Sequence, residues 1–228
     1  MIIIKRYLTE VRYTFYYSSK FKFLIYSMFS RNNYTVFMIT MRIDKQGIPL
    51  WFRCFKGNEC TEAIQEELIK TSISYVSELF NNNFDLSFLA DRWFNPTGIM
   101  EHINSLGHTY VLRLKKNIKV LHFDKKEGHK IWKFLSDLPK YNYHSIAYSN
   151  IEFTDKKYIT NIVISDAVDT DDPWILATNG DKNNAIKDYS YRFDGIESVF
   201  KNQKSNGFFI ENTTNASLDY FKSMYCFE

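Results

Sequence analysis

Chain breakers are scarce: 8 Gly and 4 Pro stand in 228 residues. So few turn residues exclude collagen-like and low-complexity chains and favour long, regular elements. Cysteine is nearly absent as well. Cys54, Cys60 and Cys226 form no metal-ligand pattern and leave an odd count, which excludes a disulfide framework and reads as reduced, cytosolic thiols. The 5 His are scattered without ligand spacing. No apolar run is long enough for a bilayer: Phe23 to Phe29 falls far short of the roughly 20 residues required. Nor is there a signal peptide, since Lys5 and Arg6 are followed by Glu10 and Arg12 without a long apolar region. The expectation is a cytoplasmic chain with no membrane partner.

What is present is bulk. Hydrophobic residues make up 45% and charged residues 24%, enough for one sizeable core, with 20 Phe and 16 Tyr to fill it. A large excess of either charge sign is missing, since 29 basic against 26 acidic residues leaves +3. Distribution is more telling. Between Val111 and Lys130 stand Arg113, Lys115, Lys116, Lys119, Lys125, Lys126 and Lys130, against Asp124 and Glu127. That run is either the solvated face of a hairpin or a track for a phosphate backbone.

The first thirty residues are aromatic and basic and show no clean period, so residues 1–32 read as an irregular segment. From Asn33 the pattern sharpens into one domain over 33–228. Tyr34 to Ile43 predicts a strand, Asp44-Lys45-Gln46-Gly47 a tight turn, and Ile48 to Phe55 the returning strand. Thr61 can cap a helix to about Phe80, with Ile64, Leu68, Ile73, Val76 and Phe80 on one side. A short apolar strand, Leu86 to Ala90, ends at Asp91. Asn95-Pro96 starts a helix that stops at Gly107, and Thr109 to Leu114 is the next strand. A charged, β-like stretch from about 117 to 170 interrupts the alternation and reads as an insertion. Trp174 to Thr178 returns as a buried strand, followed by a helix from about Ala185 to Ser205 carrying Ile186, Tyr189, Phe193, Ile196 and Phe200. A hairpin feeding αβ units predicts an α/β fold: a ribonuclease H-like mixed sheet flanked by helices, with a β-rich insertion.

Two acids stand at positions that matter. Asp91 follows a buried strand, where open αβ sheets place their sites, although it could equally cap a turn beside Arg92. Glu197 borders the apolar stripe of the last helix, with Lys204 two turns further on the same side. The plainer alternative is a capping box, Asp194-Gly195-Ile196-Glu197, at a helix start.

Asp91-Arg92-Trp93-Phe94 after an apolar strand, then Tyr189-x-x-Arg192 and Ile196-Glu197-x-x-Phe200-x-x-x-Lys204-Ser205, resembles bacterial insertion-sequence transposases of the DDE type with a Tyr-Arg-Glu-Lys signature. Ile48-Pro49-Leu50 leading to Gly57-Asn58, and Gly107-His108-Thr109-Tyr110-Val111-Leu112-Arg113, resemble the segments flanking the second aspartate there. The resemblance spans about Asn33 to Glu211. It implies DNA strand cleavage and strand transfer on double-stranded DNA, at insertion-sequence ends and target, in a nucleoid-associated protein. Two Mg²⁺ about 3.5–4 Å apart would be held by three carboxylates. Asp91 and Glu197 would be the second and third of these. Tyr189, Arg192 and Lys204 would contact DNA phosphates, beside the basic track of Arg113, Lys115, Lys116 and Lys119. A homodimer or an intact transposase would be the protein partner.

The chain departs from the family in two places. Arg192 and Glu197 are one residue further apart than the family spaces them, which swings Arg192 by about 100° unless a bulge near Gly195 absorbs it. The first aspartate should lie on the strand before Tyr34–Ile43, but Leu24-Ile25-Tyr26-Ser27-Met28-Phe29-Ser30 holds no acid. Asp44 belongs to the turn, roughly 25 Å from Asp91 if the strands run antiparallel. These departures predict an impaired enzyme, truncated at its N-terminus and lacking the end-binding domain. The competing readings are a non-catalytic DNA-binding remnant and an unrelated α/β domain with a basic hairpin.

Overall fold

The computed structural model describes residues 20–29, 34–43, 46–56, 61–80, 84–92, 96–124, 126–140, 144–153, 157–165 and 172–201, with backbone alone for 20–21, 26–29, 34–36, 46, 54–56, 62 and 194–201. Its elements are strands β1 (Lys20–Phe29), β2 (Tyr34–Ile43) and β3 (Gln46–Lys56), helix α1 (Glu62–Leu79), strand β4 (Asp85–Ala90), helix α2 (Pro96–Ser105) and strand β5 (Thr109–Arg113). Strands β6 (Lys119–Asp124), β7 (His129–Phe134), β8 (Ile146–Phe153), β9 (Ile159–Ser165) and β10 (Trp174–Thr178) follow, then helix α3 (Ala185–Lys201). The fold is α/β with a large mixed sheet, ordered β3-β2-β1-β4-β5-β10-β9-β8-β6-β7, and three helices among the described residues. The chain divides into two compact units, one of Met1–Ser87 with Tyr191–Glu228 and one of Phe88–Ser190.

In the first unit, β1, β2 and β3 form an antiparallel meander. β1 lies within the stretch that lacks a clean period. Phe23, Leu24 and Ile25 are buried one after another, as are Phe37 to Met41 on β2. Consecutive burial marks strands covered on both faces, and such strands read as unbroken apolar runs rather than alternations. The hairpin is tighter than the turn residues suggest, because Ile43 pairs directly with Gln46. Asp44 lies outside the described residues. Helix α1 begins where Thr61 is expected to cap it, the Thr61 hydroxyl accepting the Ile64 N–H at 3.4 Å. Its inward face runs through Ile69, Ile73, Val76 and Phe80, whereas Ile64 is 44% exposed and off the stripe. Phe80 closes edge-on against Phe23 at 5.3 Å between centroids.

In the second unit, α2 ends where Gly107 adopts φ +77°. The His108 N–H then reaches Ile103 O at 3.2 Å and the Gly107 N–H reaches Asn104 O at 3.0 Å, a Schellman closure. It turns the chain into β5, whose second residue is secured by Asn179: Tyr110 N donates to Asn179 Oδ1 at 2.9 Å. The β-like stretch from about 117 to 170 does hold strands, β6 to β9. It extends the sheet through the β9–β10 pairing and adds no layer of its own. Among the described residues no helix is long and apolar enough to cross a membrane.

Candidate functional site

Chain geometry converges on Asp91. β4 is buried from Leu86 to Ala90, and the chain leaves it at Asp91, whose carboxylate is 18% exposed. Asp91 Oδ1 accepts the Arg92 backbone N–H at 2.8 Å and the Tyr189 hydroxyl at 3.3 Å. The first contact is the turn-capping role open to it from sequence. The second belongs to tertiary structure, reaching across 98 positions to α3.

Arg113, the last residue of β5, brings a guanidinium to the same place. Its Nη1 lies 3.9 Å from Asp91 Oδ1, while Nη2 donates to Asp172 Oδ2 at 2.9 Å. Asp172 enters because β10 runs antiparallel to β5 with Leu176 opposite Arg113, so the residues just before β10 pass over the exit of β5. Arg92 Nη1 donates to the same Asp172 oxygen. Two carboxylates and two guanidiniums thus alternate. The inner pair is drier, with Arg113 at 13% exposure, and the outer pair is wetter, with Arg92 at 44%. Burial pushes the Asp172 carboxyl up, but the Arg92 hydrogen bond and the charges of Arg92, Arg113 and Lys116 outweigh it and hold the group below its ordinary value. Lys116 therefore adds to the positive field at these strand ends.

Tyr189 is fixed from behind. Its ring is fully buried and meets Trp174 edge-on, at 5.0 Å between centroids. The resemblance assigns it a phosphate contact; the structure gives its hydroxyl to Asp91, and the buried ring orients that carboxylate. Arg113, the first residue of the expected phosphate track, sits between Asp91 and Asp172. Lys115, Lys116 and Lys119 are exposed, as a track requires. Arg192 is half-buried on α3 in the other unit. The helix is assigned α without interruption from Ala185 to Lys201, so no bulge appears at Gly195. Five residues of regular helix leave the Arg192 and Glu197 positions about 140° apart around the axis. Glu197 lies on α3 inside the helix, not at a helix start as a capping box requires; its side chain is outside the described residues, as is Lys204.

Magnesium takes oxygen ligands, often one or two carboxylates completed by substrate phosphates. Asp91 and Asp172 are the right donor type, but guanidinium groups already compensate both. Among the described residues no three His, Cys, Asp or Glu side chains gather as a metal cluster. These oxygens do not by themselves make a two-ion site. Asp172 and Arg92 are site residues that sequence reasoning missed. Only the β5–β10 pairing brings Asp172 near, and no local pattern announces that pairing.

No protein-family model matches the chain, and no curated protein matches it either.

Proposed function

We propose that this chain is a transposase-type, ribonuclease H-like domain that binds double-stranded DNA and is impaired in strand cleavage. The observation that carries the reading is the Tyr189–Asp91 hydrogen bond, since two residues selected as parts of separate motifs touch in the folded chain. The strand order supports it too. Along the chain, an antiparallel meander of three strands is followed by a helix and then by β4, with the acid at its end.

Impairment follows from β1. In the family the first aspartate stands on the strand before Tyr34–Ile43, and here that strand, Lys20–Phe29, contains neither Asp nor Glu. In an intact site Mg²⁺ supplies an activated oxygen nucleophile and stabilises the leaving oxygen. Asp91 and Glu197 are the residues that would hold it. Tyr189 positions the Asp91 carboxylate. Arg113 and Arg92 present fixed positive charge suited to a DNA phosphate, which they would take in exchange for Asp172. A second reading, a non-catalytic DNA-binding remnant, gains from the same arginines, because their ion pairs compensate the acids without a metal.

The test incubates the purified protein with supercoiled DNA and Mg²⁺ or Mn²⁺, alongside Asp91→Ala. Retarded DNA without nicking is expected. Nicking that vanishes in Asp91→Ala would show a working site and remove the impairment. Failure to retain DNA even at low salt would remove the transposase reading altogether.

A further inference from the structure

The strands of the insertion carry a surface that the Asp91 site does not use. Cross-strand partners share one face of a sheet. Register therefore places Lys119 with Phe134, Leu121 with Trp132, and Phe123 with Lys130 across β6 and β7. The same face continues through Leu121 to Glu152 on β8, and through Glu152 to Ile159 on β9. The opposite face is core: Val120, Ile151 and Phe153 are at most 2% exposed.

A sheet packed on one side ordinarily turns polar residues to water on the other. This one does not. Phe123 is 52% exposed, Trp132 53%, Phe134 39% and Ile159 54%. Among the described residues the large exposed hydrophobics number five, and only Ile64 lies elsewhere. Single exposed apolar residues need no explanation, but a contiguous group marks an interaction surface.

Charge selects the occupant. Lys119 and Lys130 stand among the aromatics, and Lys115 and Lys116 lie on the exposed loop leading into β6. Glu152 is the acid on this face, and it pairs with Lys130 at 3.6 Å. The core of a protein–protein interface is depleted in lysine, so lysines inside the apolar patch argue against a protein partner. Lys119 Nζ sits 5.1 Å from the Phe134 ring centroid, which keeps charge and π-face side by side. Aromatic platforms interleaved with cations suit unpaired nucleotides, whose bases stack on the rings while their phosphates meet the lysines. In a duplex the base faces are covered by their neighbours, and the rings would find nothing to stack on.

We propose that the open face of β6–β7–β8–β9 binds single-stranded nucleic acid without sequence preference, through stacking on Trp132, Phe134 and Phe123. The surface lies wholly within the unit Phe88–Ser190, and the proposal does not depend on the transposase reading.

The experiment titrates the full chain with fluorescein-labelled oligo(dT) and oligo(U), following anisotropy and intrinsic tryptophan fluorescence, in which the Trp132 contribution is the part missing from Trp132→Phe. Both probes are expected to bind, and a preference between them reports which sugar the face accepts. Trp132→Ala and Phe134→Ala should each weaken binding roughly tenfold or more, while Trp132→Phe retains most of it. These side chains are exposed, so circular dichroism should show the variants folded; a variant that is not is replaced by Phe123→Ala. Unchanged affinity in the folded alanine variants would overturn the proposal. So would a concentration-dependent dimer in sedimentation that disappears in Trp132→Ala, because the face would then serve a second copy of the chain. Absence of duplex binding by the parent chain, with oligo(dT) binding intact, would instead strike only at the proposed function.

Discussion

At the end of β5, Arg113 divides one guanidinium between Asp91 and Asp172. A planar fork can serve two acceptors at once, which a lysine ammonium cannot do with the same geometry. Arg113→Met should therefore destabilise the protein by about 1–2 kcal/mol, with Arg113→Lys between it and the parent. The exposure of Asp172 keeps the figure low, because water screens that half of the contact. Urea denaturation of the three proteins gives the order, and equal midpoints would mean the fork does not contribute.

Asp124 makes a second residue-scale case. The hydrogen bond from Lys133 at 2.6 Å, followed by the Lys126 backbone N–H at 2.9 Å, brings its carboxyl down from 3.8 to about 2. A folded-state value below the unfolded one means the contact stabilises fully above 3.8. That contribution fades as pH falls from there through about 2. Carboxyl chemical shifts should place the Asp124 midpoint near the lower value, and Lys133→Ala should raise it. A midpoint unmoved by Lys133→Ala would remove the lysine as the cause.

At the scale of elements, the turn from α2 into β5 depends on Gly107. A Cβ built there meets nothing within 4 Å, so space is not the constraint; φ +77° is. Gly107→Ala should cost about 1–2 kcal/mol from the left-handed backbone alone, and Gly107→Asn less. Equilibrium unfolding checks it, and an Ala variant as stable as the parent would mean the turn relaxes to another conformation.

The elements themselves were largely legible in sequence. The stop at Gly107, the Thr61 cap and the strand ending at Asp91 rest on local rules: a left-handed stop, a hydroxyl cap and a short apolar run. β1 was not legible, because both its faces are buried and no alternation survives in Phe23-Leu24-Ile25. The candidate site divides in the same way. Asp91 announces itself by following a strand, and Tyr189 by its motif. Asp172 becomes visible only through the β5–β10 register, which pairs residues more than sixty positions apart. Long-range register has no local signature, so its consequences are structural findings.

For the whole molecule, a net charge of +3 would give only weak attraction for DNA if it were spread evenly. What matters is local clustering: Lys115, Lys116 and Lys119 are exposed within six residues of Arg113, and Lys116 already acts on Asp172. Each phosphate neutralised releases counterions, so the logarithm of affinity should fall with the logarithm of salt at a slope near −0.9 per contact. Replacing all three lysines by Gln removes at most three contacts and should flatten that slope by up to about 2.7. Arg113→Met supplies the contrast. Its guanidinium is largely buried and paired with carboxylates, so it can take at most one phosphate in exchange for Asp172, and its loss should flatten the slope by no more than about 0.9. Affinity for one duplex measured across a salt series, for parent and both variants, separates the two kinds of charge. A slope unchanged in the triple variant would return these lysines to a solvated hairpin face. A slope that collapses in Arg113→Met would place the phosphate track at the Asp91 cluster itself.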